Sequence, residues 1–500
     1  MTEHVNVLIV GGGLSGIGAG VHIQTGTPDK TFAILEARDA IGGTWDLFRY
    51  PGIRSDSDMY TLGFKFKPWT HAKAIADGHD ILQYIQDTAA EHHLHDKIRL
   101  GHRVKRTTWS PSLSRWTVEI ERGPERERVV MTCDFLFLCA GYYNYDAGFT
   151  PQFTGIDRFK GEVVHPQKWT SDIDHAGKRV VVIGSGATAV TLVPSMADKA
   201  RHVTMLQRSP TYIMALPGED AIANGLRAVL PATLAYDITR WKNVLLGMLF
   251  FSLSRRHPHF MKKLLIKGVQ RFVGDKVDVS KHFTPSYNPW DQRVCAVPNA
   301  DLFKALRKGT ASVVTDHIET FTEKGIQLKS GEQLQADMVV TATGLDLLAF
   351  GGIEMVVDGQ VVKPAETMSY KGMMLAGVPN MAYVVGYTNA SWTLKADLTC
   401  EYVCRLLRHM DRLGVTQVEA RRDPNVQEEN WINFNSGYIL RSLHLFPKQG
   451  DRKPWKLNQN YILDLFNLRL GAVDDGAVGF SGPSRASVQA QAEALSRQAA

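Results

Sequence analysis

Two glycine-rich strings in this 500-residue chain have the spacing of dinucleotide-binding turns. The first directly follows the apolar run Val5–Val10. Its GxGxxG glycines and the serine among them are Gly11, Gly13, Ser15 and Gly16. A predicted helix over residues 17–24 and a predicted strand over 32–35 come next, and the strand leads into Glu36. Such glycines let the backbone approach a pyrophosphate, and a glutamate at this distance accepts ribose hydroxyls while repelling a 2′-phosphate. The first string therefore predicts a site for FAD or NAD.

The second string follows a predicted strand over residues 179–183 and has the pattern GxGxxA. The residues expected to contact a nucleotide here are Ile183, Gly184, Ser185, Gly186, Ala187, Thr188 and Ala189. A helix over 188–196 and a strand over 202–206 are predicted next, followed by Gln207 and Arg208. Because an arginine replaces the acid and can pair with a 2′-phosphate, this string predicts an NADPH site. An ordinary surface cation is the alternative interpretation of Arg208.

Two nucleotide-binding units with opposite charge preferences predict electron transfer between two cofactors. Short apolar strands at 135–139 and 338–341 each lead into small residues and glycine, and both are expected to return the chain to the first unit. The expected fold is α/β with two Rossmann-like domains. The domain bounds are 1–150 and 335–486 for the FAD domain, 151–334 for the NADPH domain with a helical insertion at about 215–290, and 487–500 for a mobile polar tail.

Composition and charge exclude several classes of protein. The net charge of +6 is small for this length and forms no basic stripe, so nucleic-acid binding is not expected. Five cysteines without CxxC pairs or zinc-ligand spacing predict neither a disulfide framework nor a metal site. The first residues enter a strand without a signal-peptide pattern, and no apolar run reaches the ~18 residues of a membrane span. A cytoplasmic protein is therefore expected.

One apolar run, residues 244–253, leaves two interpretations open. Five cations follow it, at Arg255, Arg256, Lys262, Lys263 and Lys267. It could form a buried or tunnel-capping helix with a solvated basic end. It could also form a surface that makes weak peripheral contact with the inner face of a membrane and admits apolar substrates.

A string between the two nucleotide motifs resembles the FxGxxxHxxxW fingerprint of Baeyer–Villiger monooxygenases, which are class B flavin monooxygenases. Its fixed positions are Phe159, Gly161, His165 and Trp169. Thr170 stands where the family has proline or aspartate. Four further stretches are similar to the ethionamide-activating mycobacterial members of this family, namely 42–64, 135–146, 287–303 and 386–398.

The resemblance implies an FAD-containing monooxygenase that uses NADPH and molecular oxygen. In this family a peroxide at flavin C4a oxygenates ketones to esters or lactones, and sulfides or thioamides at sulfur. It implies that Arg293, in the string DQRVC, stabilises the peroxyanion by its fixed charge. It also implies that Asp56 orients Arg293 and positions the nicotinamide, with Asp58 as the alternative carboxylate. Gln292 stands where the family often has a lysine that contacts the NADP phosphate.

The resemblance assigns roles to further residues as well. Expected flavin neighbours are Thr44, Trp45, Asp46, Leu47 and Tyr60, and the expected adenine and nicotinamide neighbours are Val104, Arg54 and Ser55. His165 is expected to couple domain motion to cofactor binding rather than to act as an acid or base, and Trp169 is expected to pack. Trp455 and Asn458 either border the substrate pocket or pack in the ordinary way.

Two other functions remain open at the level of the sequence. An N-hydroxylating or dimethylaniline-type flavin monooxygenase shares the two nucleotide motifs but lacks the RYPGIRSD and DQR pairing. A non-oxygenating flavoprotein, either a reductase of a protein partner or a regulatory redox module, is the other alternative. A disulfide reductase of this kind would ordinarily carry a redox cysteine pair near the flavin, and no CxxC or CxxxxC string occurs here. The expected substrate is a small apolar ketone, sulfide or thioamide.

Overall fold

The computed structural model describes residues 2–432, 436–484 and 487–488. Most of the expected polar tail, 489–500, lies outside the described residues. The α-helices are α1 Leu14–Gly26, α2 Thr44–Leu47, α3 Met59–Leu62, α4 Gly78–Glu91, α5 Ala187–Met196, α6 Ala221–Val229, α7 Ala232–Arg256, α8 Pro258–Val273, α9 Val279–His282, α10 Asp301–Lys308, α11 Trp392–Leu413, α12 Gly437–Ser442 and α13 Tyr461–Asp464. The strands are β1 Glu3–Val10, β2 Phe32–Leu35, β3 Ile98–Arg99, β4 His102–Ser110, β5 Arg115–Arg122, β6 Glu127–Leu138, β7 Tyr143–Gly148, β8 Glu162–Val164, β9 Arg179–Ile183, β10 His202–Gln207, β11 Ile213–Leu216, β12 Cys295–Pro298, β13 Ala311–Thr315, β14 Ile318–Thr322, β15 Gly325–Leu328, β16 Gln333–Gln335, β17 Met338–Thr341, β18 Leu345–Leu347, β19 Glu354–Val357, β20 Gln360–Val361, β21 Ser369–Tyr370, β22 Met374–Leu375, β23 Met381–Tyr383, β24 Gln417–Ala420, β25 Glu428–Asn430, β26 Lys448–Gly450 and β27 Val478–Ser481.

The first sheet is built around β1, whose apolar residues are buried on both faces as a central parallel strand requires. β1 pairs in parallel with β2 on one side and with β6 on the other. The strand order is β20-β19-β4-β5-β6-β1-β2-β3, and β23 also pairs with β6. The helix α1 follows β1 and packs on the sheet, as predicted from the glycine string.

The second sheet has the order β13-β10-β9-β17-β8, and all of its pairs are parallel. Its central strand β9 and the following helix α5 confirm the second strand–turn–helix unit. The predicted strand 338–341 exists as β17, but it pairs with β9 and β8. The expectation that it returns the chain to the first sheet is therefore wrong, and the return follows it, after residue 341.

A short antiparallel ribbon connects the two sheets. β7 leaves the first sheet and β18 returns to it, and the two pair through Leu345 with Gly148 and Leu347 with Tyr143. The four helices α6–α9 follow β11 and form the helical insertion that the sequence predicts. Within the described part of the chain, no helix combines the length and apolarity needed to cross a bilayer.

The long helix α11 anchors several elements in the core, and a buried arginine ties it to α7. Arg240 donates to the carbonyl oxygens of Tyr60 and Gly63, each at 2.8 Å, and so satisfies the end of α3. It also pairs with Asp397 of α11 at 3.3 Å, and both side chains are about 5% exposed. These contacts fix the amino-terminal half of α7 against the first domain.

We predict that Arg240→Met lowers the free energy of unfolding by about 3 kcal/mol, because it leaves the Asp397 charge buried without its guanidinium partner. Urea denaturation of the purified protein measures this change. Arg422→Met is the control, since Arg422 forms an exposed pair with Glu428 and its loss should cost less than about 1 kcal/mol. Equal losses for the two variants would contradict the anchoring role of Arg240.

Candidate active site

A cavity of about 1120 Å³ opens at the carboxyl ends of β1, β2 and β6. The helices α5 and α7 and the strands β11 and β12 border its other side. Its volume lies above the usual range of about 300–1,000 Å³ for a pocket that holds one small ligand. The carboxyl edge of a parallel sheet is also where nucleotides bind in folds of this class.

The first glycine string lies in this cavity. Gly11 has φ +110°, and a Cβ there would meet the carbonyl oxygen of Cys139 at 2.5 Å. A Cβ on Gly16 would lie 1.7 Å from the carbonyl oxygen of Gly11, so only glycine allows α1 to begin this close to the strand. Gly11, Gly13 and Ser15 line the cavity, whereas Gly16 lies beneath it.

Glu36 reaches the cavity from the end of β2. Its two carboxylate oxygens accept the backbone N–H of Gly12 at 2.7 Å and of Arg38 at 2.9 Å. Burial raises the pKa of the Glu36 carboxyl above its ordinary value. The carboxylate is thus held in place by backbone donors while each oxygen keeps a free lone pair.

The segment after Gly43 divides into cavity-lining and supporting residues. Thr44 and Trp45 line the cavity. Asp46 does not, because its carboxylate pairs with Arg38 at 2.7 Å and with Arg49 at 3.2 Å. Leu47 packs on the apolar core of the second domain instead. Of the four residues expected beside a flavin, the first two therefore line the cavity and the last two do not.

The RYPGIR stretch crosses to the second domain. Phe48 and Tyr50 belong to the same apolar cluster as α5. Gly52 has φ +74°, and a Cβ there would lie 1.8 Å from Ser195 Oγ of α5. The motif therefore places the following residues, 54–56, between the two domains.

Two ion pairs of opposite polarity join the domains at this point. Asp56 pairs with Arg293 at 3.2 Å, and both face the cavity with about a third of their side-chain surface exposed (39% and 35%). Arg54 pairs with Asp301 at the start of α10. Asp56 raises the pKa of the Arg293 guanidinium above its usual range, so Arg293 is permanently charged.

The structure separates Asp56 from its alternative, Asp58. Asp58 caps α3 by accepting the backbone N–H of Thr61 at 3.0 Å, and it also accepts from the side chain of Asn243 at 2.9 Å. Its carboxylate is therefore engaged in holding α3 and α7 together. Asp56 is the carboxylate that meets Arg293.

Two predicted neighbours of the nicotinamide lie beside this pair. Arg54 and Ser55 both line the cavity. Ser55 is 4% exposed, and its Oγ has no hydrogen-bond partner within the described residues. A buried hydroxyl without a partner is costly in a protein interior, so this atom is suited to a bound ligand.

The second glycine string reaches the cavity only through Ala187 and Thr188. Ile183 and Ala189 are buried, and Gly184, Ser185 and Gly186 lie at the strand end outside the lining. Gln207 is 2% exposed, and its amide donates to His282 O at 2.7 Å and Thr315 Oγ1 at 2.8 Å. Arg208 is exposed at the end of β10, with no ion pair to another described residue. Of Gln207 and Arg208, it is Arg208 that is free to meet a phosphate.

The fingerprint residues lie away from the cavity, around the connection between the domains. The His165 ring would clash with a Cβ on Gly148 at 2.1 Å, and its Nε2 is 3.3 Å from Gly344 O. Burial lowers the pKa of His165, so the ring is neutral at neutral pH. Phe159 and Trp169 are buried in apolar clusters of the second domain. Gly161 is needed because a Cβ would meet Asp337 O at 2.5 Å.

The structure also places the remaining residues that the sequence assigned to the adenine, the flavin and the substrate pocket. Val104 lines the cavity from within β4, which follows the short strand β3 after a turn. Tyr60 is fully buried against Tyr236 and does not line the cavity, so its placement beside the flavin is corrected. Trp455 is 1% exposed and packs on Tyr370, whereas Asn458 does border the cavity.

Sequence reasoning missed an aromatic cluster around Arg293. Tyr142 and Tyr143 lie against each other, with hydroxyl oxygens 3.4 Å apart, and Tyr142 packs on Trp392 with ring centroids at 5.1 Å. The Trp392 indole donates to Ser15 Oγ at 2.8 Å. Burial raises the pKa of Tyr142, so its hydroxyl stays protonated. The available signal was the position of the two tyrosines, which follow β6 after three residues at the ligand-binding edge of the sheet.

Comparisons with known proteins identify the family of this chain. A family model described as flavin-binding monooxygenase-like matches residues 71–374, and an NAD(P)-binding Rossmann-like domain matches residues 9–77. The FAD-containing monooxygenase EthA of Mycobacterium tuberculosis (strain ATCC 25618 / H37Rv) is 55% identical over 96% of this chain and 98% of its own. EthA of Mycolicibacterium smegmatis is 52% identical over 98% and 99%. A solved structure of an oxidized steroid monooxygenase bound to NADP is 21% identical, with a TM-score of 0.77 over 96% of this chain and 100% of that one.

The chain belongs to the flavin-binding monooxygenase family, in its class B. It is a flavin-dependent monooxygenase that contains FAD and uses NADPH, and among named proteins it is similar to EthA. The expected enzyme class, both cofactors and the two Rossmann-like units are therefore confirmed.

Proposed function

We propose that the cavity oxygenates a small apolar ketone, sulfide or thioamide beside Arg293. The observation that carries this proposal is the Asp56–Arg293 pair, which presents a permanent cation to a cavity bordered by the first glycine string. The overall reaction takes oxygen, NADPH, a proton and a ketone to an ester or lactone, NADP⁺ and water. With a sulfide or thioamide the oxygen atom goes to sulfur.

The residues of the first string fit FAD. Gly11 and Gly13 allow the backbone to approach a pyrophosphate at the start of α1, and Glu36 offers acceptor oxygens to ribose hydroxyls. Val104 and Thr44 border the same cavity. Residues 184–189 with Arg208 fit NADPH, because Arg208 can pair with a 2′-phosphate that Glu36 would repel. FAD is therefore assigned to the first domain and NADPH to the second. The upper bound of the second domain moves from residue 334 to residue 341, because β17 belongs to the second sheet.

When bound, FAD would supply the redox chemistry that links NADPH to oxygen. Arg293 places a fixed positive charge where anionic character develops during oxygen transfer, and such preorganised charge is a large source of catalysis. Asp56 holds the planar guanidinium of Arg293 in one orientation. The buried hydroxyl of Tyr142 remains a donor near the guanidinium because its pKa is raised. The neutral His165 acts at the connection between the domains rather than as an acid or base.

An N-hydroxylating or dimethylaniline-type reaction is the second candidate. Enzymes of that type lack the RYPGIRSD and DQR pairing, so the Asp56–Arg293 pair beside the cavity favours oxygenation of ketones and sulfur. A disulfide reductase lacks support, because all five cysteines are buried and unpaired.

We predict that Arg293→Ala retains FAD and still oxidises NADPH, but loses oxygenated product by roughly 100-fold or more. The reason is that the fixed charge is removed while both nucleotide-binding strings are left intact. Product formation and NADPH consumption are measured together with a methyl ketone and with a thioether.

Arg293→Lys keeps the positive charge but loses the planar guanidinium, and it should recover part of the product yield that Arg293→Ala loses. Arg452→Ala is a matched control, since Arg452 pairs with Asp423 at the surface. Product formation at the parent rate by Arg293→Ala would refute the assignment, and conversion of amines alone would favour the N-oxygenating alternative.

We predict that Arg208→Ala raises the KM for NADPH by roughly tenfold to 100-fold and leaves the KM for NADH nearly unchanged. One charge-assisted hydrogen bond to a phosphate is worth about 1.5–3 kcal/mol, and NADH has no 2′-phosphate. Steady-state oxidation of both coenzymes measures the ratio. Equal increases for the two coenzymes would show that Arg208 does not contact the phosphate.

We also propose that α7 and α8 make peripheral contact with an anionic membrane surface. Leu245, Leu246 and Leu249 of α7 are each more than half exposed, and Phe260 and Leu264 extend this apolar face onto α8. Residues 238–274 contain eight lysines and arginines and no acidic residue. Three of these cations pair with acidic residues of other segments, and the other five form no ion pair with another described residue, namely Arg256, Lys262, Lys263, Lys267 and Arg271. An exposed apolar face next to these five cations is complementary to anionic headgroups over an apolar bilayer.

The double variant Leu246→Asp/Leu249→Asp should lose flotation with phosphatidylglycerol vesicles, because it places two anions on the apolar face. Leu413→Asp, at an equally exposed leucine of α11, should float like the parent protein. Phosphatidylcholine vesicles should bind the parent only weakly, since they lack the anionic charge. Absence of the parent protein from floated anionic vesicles would contradict the proposal.

A further inference from the structure

The helix α7 has two apolar faces, and one of them lines the cavity. Val244, Gly247, Met248, Phe251 and Arg255 follow the i, i+3, i+4, i+7, i+11 spacing of a single helix face, and all of them border the cavity. At 1.5 Å per residue, this stripe runs for roughly 16 Å along the helix.

The stripe contains a gap at Gly247. A Cβ built on Gly247 would meet no atom within 4 Å, and the residue is exposed on a face that otherwise carries bulky side chains. Glycine inside a helix costs about 1 kcal/mol relative to alanine, and no turn or close backbone approach requires it here. The gap therefore gives this wall of the cavity free volume beside Val244 and Met248.

The stripe leads to Arg293 through one aromatic loop. Trp290 contacts the rings of Phe250 and Phe251, with centroids 6.4 and 5.4 Å away, and lies three residues before Arg293. The ion pair of Arg255 with Asp291, at 2.7 Å, holds the same loop to the end of α7. A continuous apolar wall thus extends from Val244 to the guanidinium.

We propose that Gly247 is a specificity-determining residue, whose gap admits the extended hydrocarbon tail of the substrate along α7 while the reacting carbonyl or sulfur lies at Arg293. The inference rests on the proposed function and specifies its substrate class as elongated and apolar. The occupant is the substrate tail, because the gap belongs to the same cavity as Arg293 and is lined by apolar side chains on either side. Tail length then contributes to binding through buried apolar surface.

The test compares two methyl ketones, one with a butyl tail and one with a dodecyl tail, on the FAD-loaded protein. Gly247→Phe fills the gap and should lower the ratio of kcat/KM for the long ketone to that for the short one by about tenfold or more, mainly through the KM of the long ketone. Gly268→Phe is the matched control. Gly268 is also a helical glycine whose added Cβ meets no atom within 4 Å, but it lies on α8 outside the cavity.

The outcomes separate the inference from the proposed function. If the parent oxygenates neither ketone nor a thioether, the proposed function fails. If the parent oxygenates the ketones and Gly247→Phe leaves the long-to-short ratio within about twofold of the Gly268→Phe value, the inference is overturned. Gly247→Ala is a second variant, which fills less of the gap and also favours the helix. A long-to-short kcat/KM ratio that falls from glycine to alanine and again to phenylalanine supports the inference. This comparison holds even where the larger side chain lowers expression.

Discussion

The architecture of this enzyme depends on two ion pairs of opposite polarity that face each other across the domain boundary. Asp56 of the first domain pairs with Arg293, and Arg54, two residues earlier, pairs with Asp301 of the second. Each domain therefore contributes one cation and one anion. A shift of the domains by one such pair would bring like charges together, so the alternation favours a single relative position.

The two ion pairs can fix the relative position of the domains because apolar packing brings residues 54–56 to the domain boundary. Phe48 and Tyr50 are buried with α5, and Gly52 allows the turn that follows to touch Ser195. The carboxylate and guanidinium then meet at the edge of the cavity, where each keeps contact with the open volume. A cation placed in this way can act on a ligand, whereas Arg240, equally charged but enclosed by carbonyl oxygens, can only hold structure.

The sequence predicted the two nucleotide-binding units well because strand, glycine turn and helix are local features. The same locality explains the errors. The short, mostly apolar run at 338–341 predicts a strand but carries no information on which of the two sheets that strand joins. Tyr60 lies in a stretch that matches the family, yet its burial is set by Tyr236, which is distant in the chain. The cavity wall on α7 was only partly predictable, because its apolar residues face both inward and outward.

The central claim is that Asp56 acts on oxygen transfer through Arg293, and a double-mutant cycle tests it most directly. The rate of product formation per NADPH consumed is measured for Asp56→Asn, Arg293→Gln and the double variant, each loaded with FAD. If the carboxylate works by orienting the guanidinium, removing it costs little once Arg293 is gone, and the double variant resembles Arg293→Gln. Losses that simply add on the free-energy scale would show that the two residues act independently and would contradict the account.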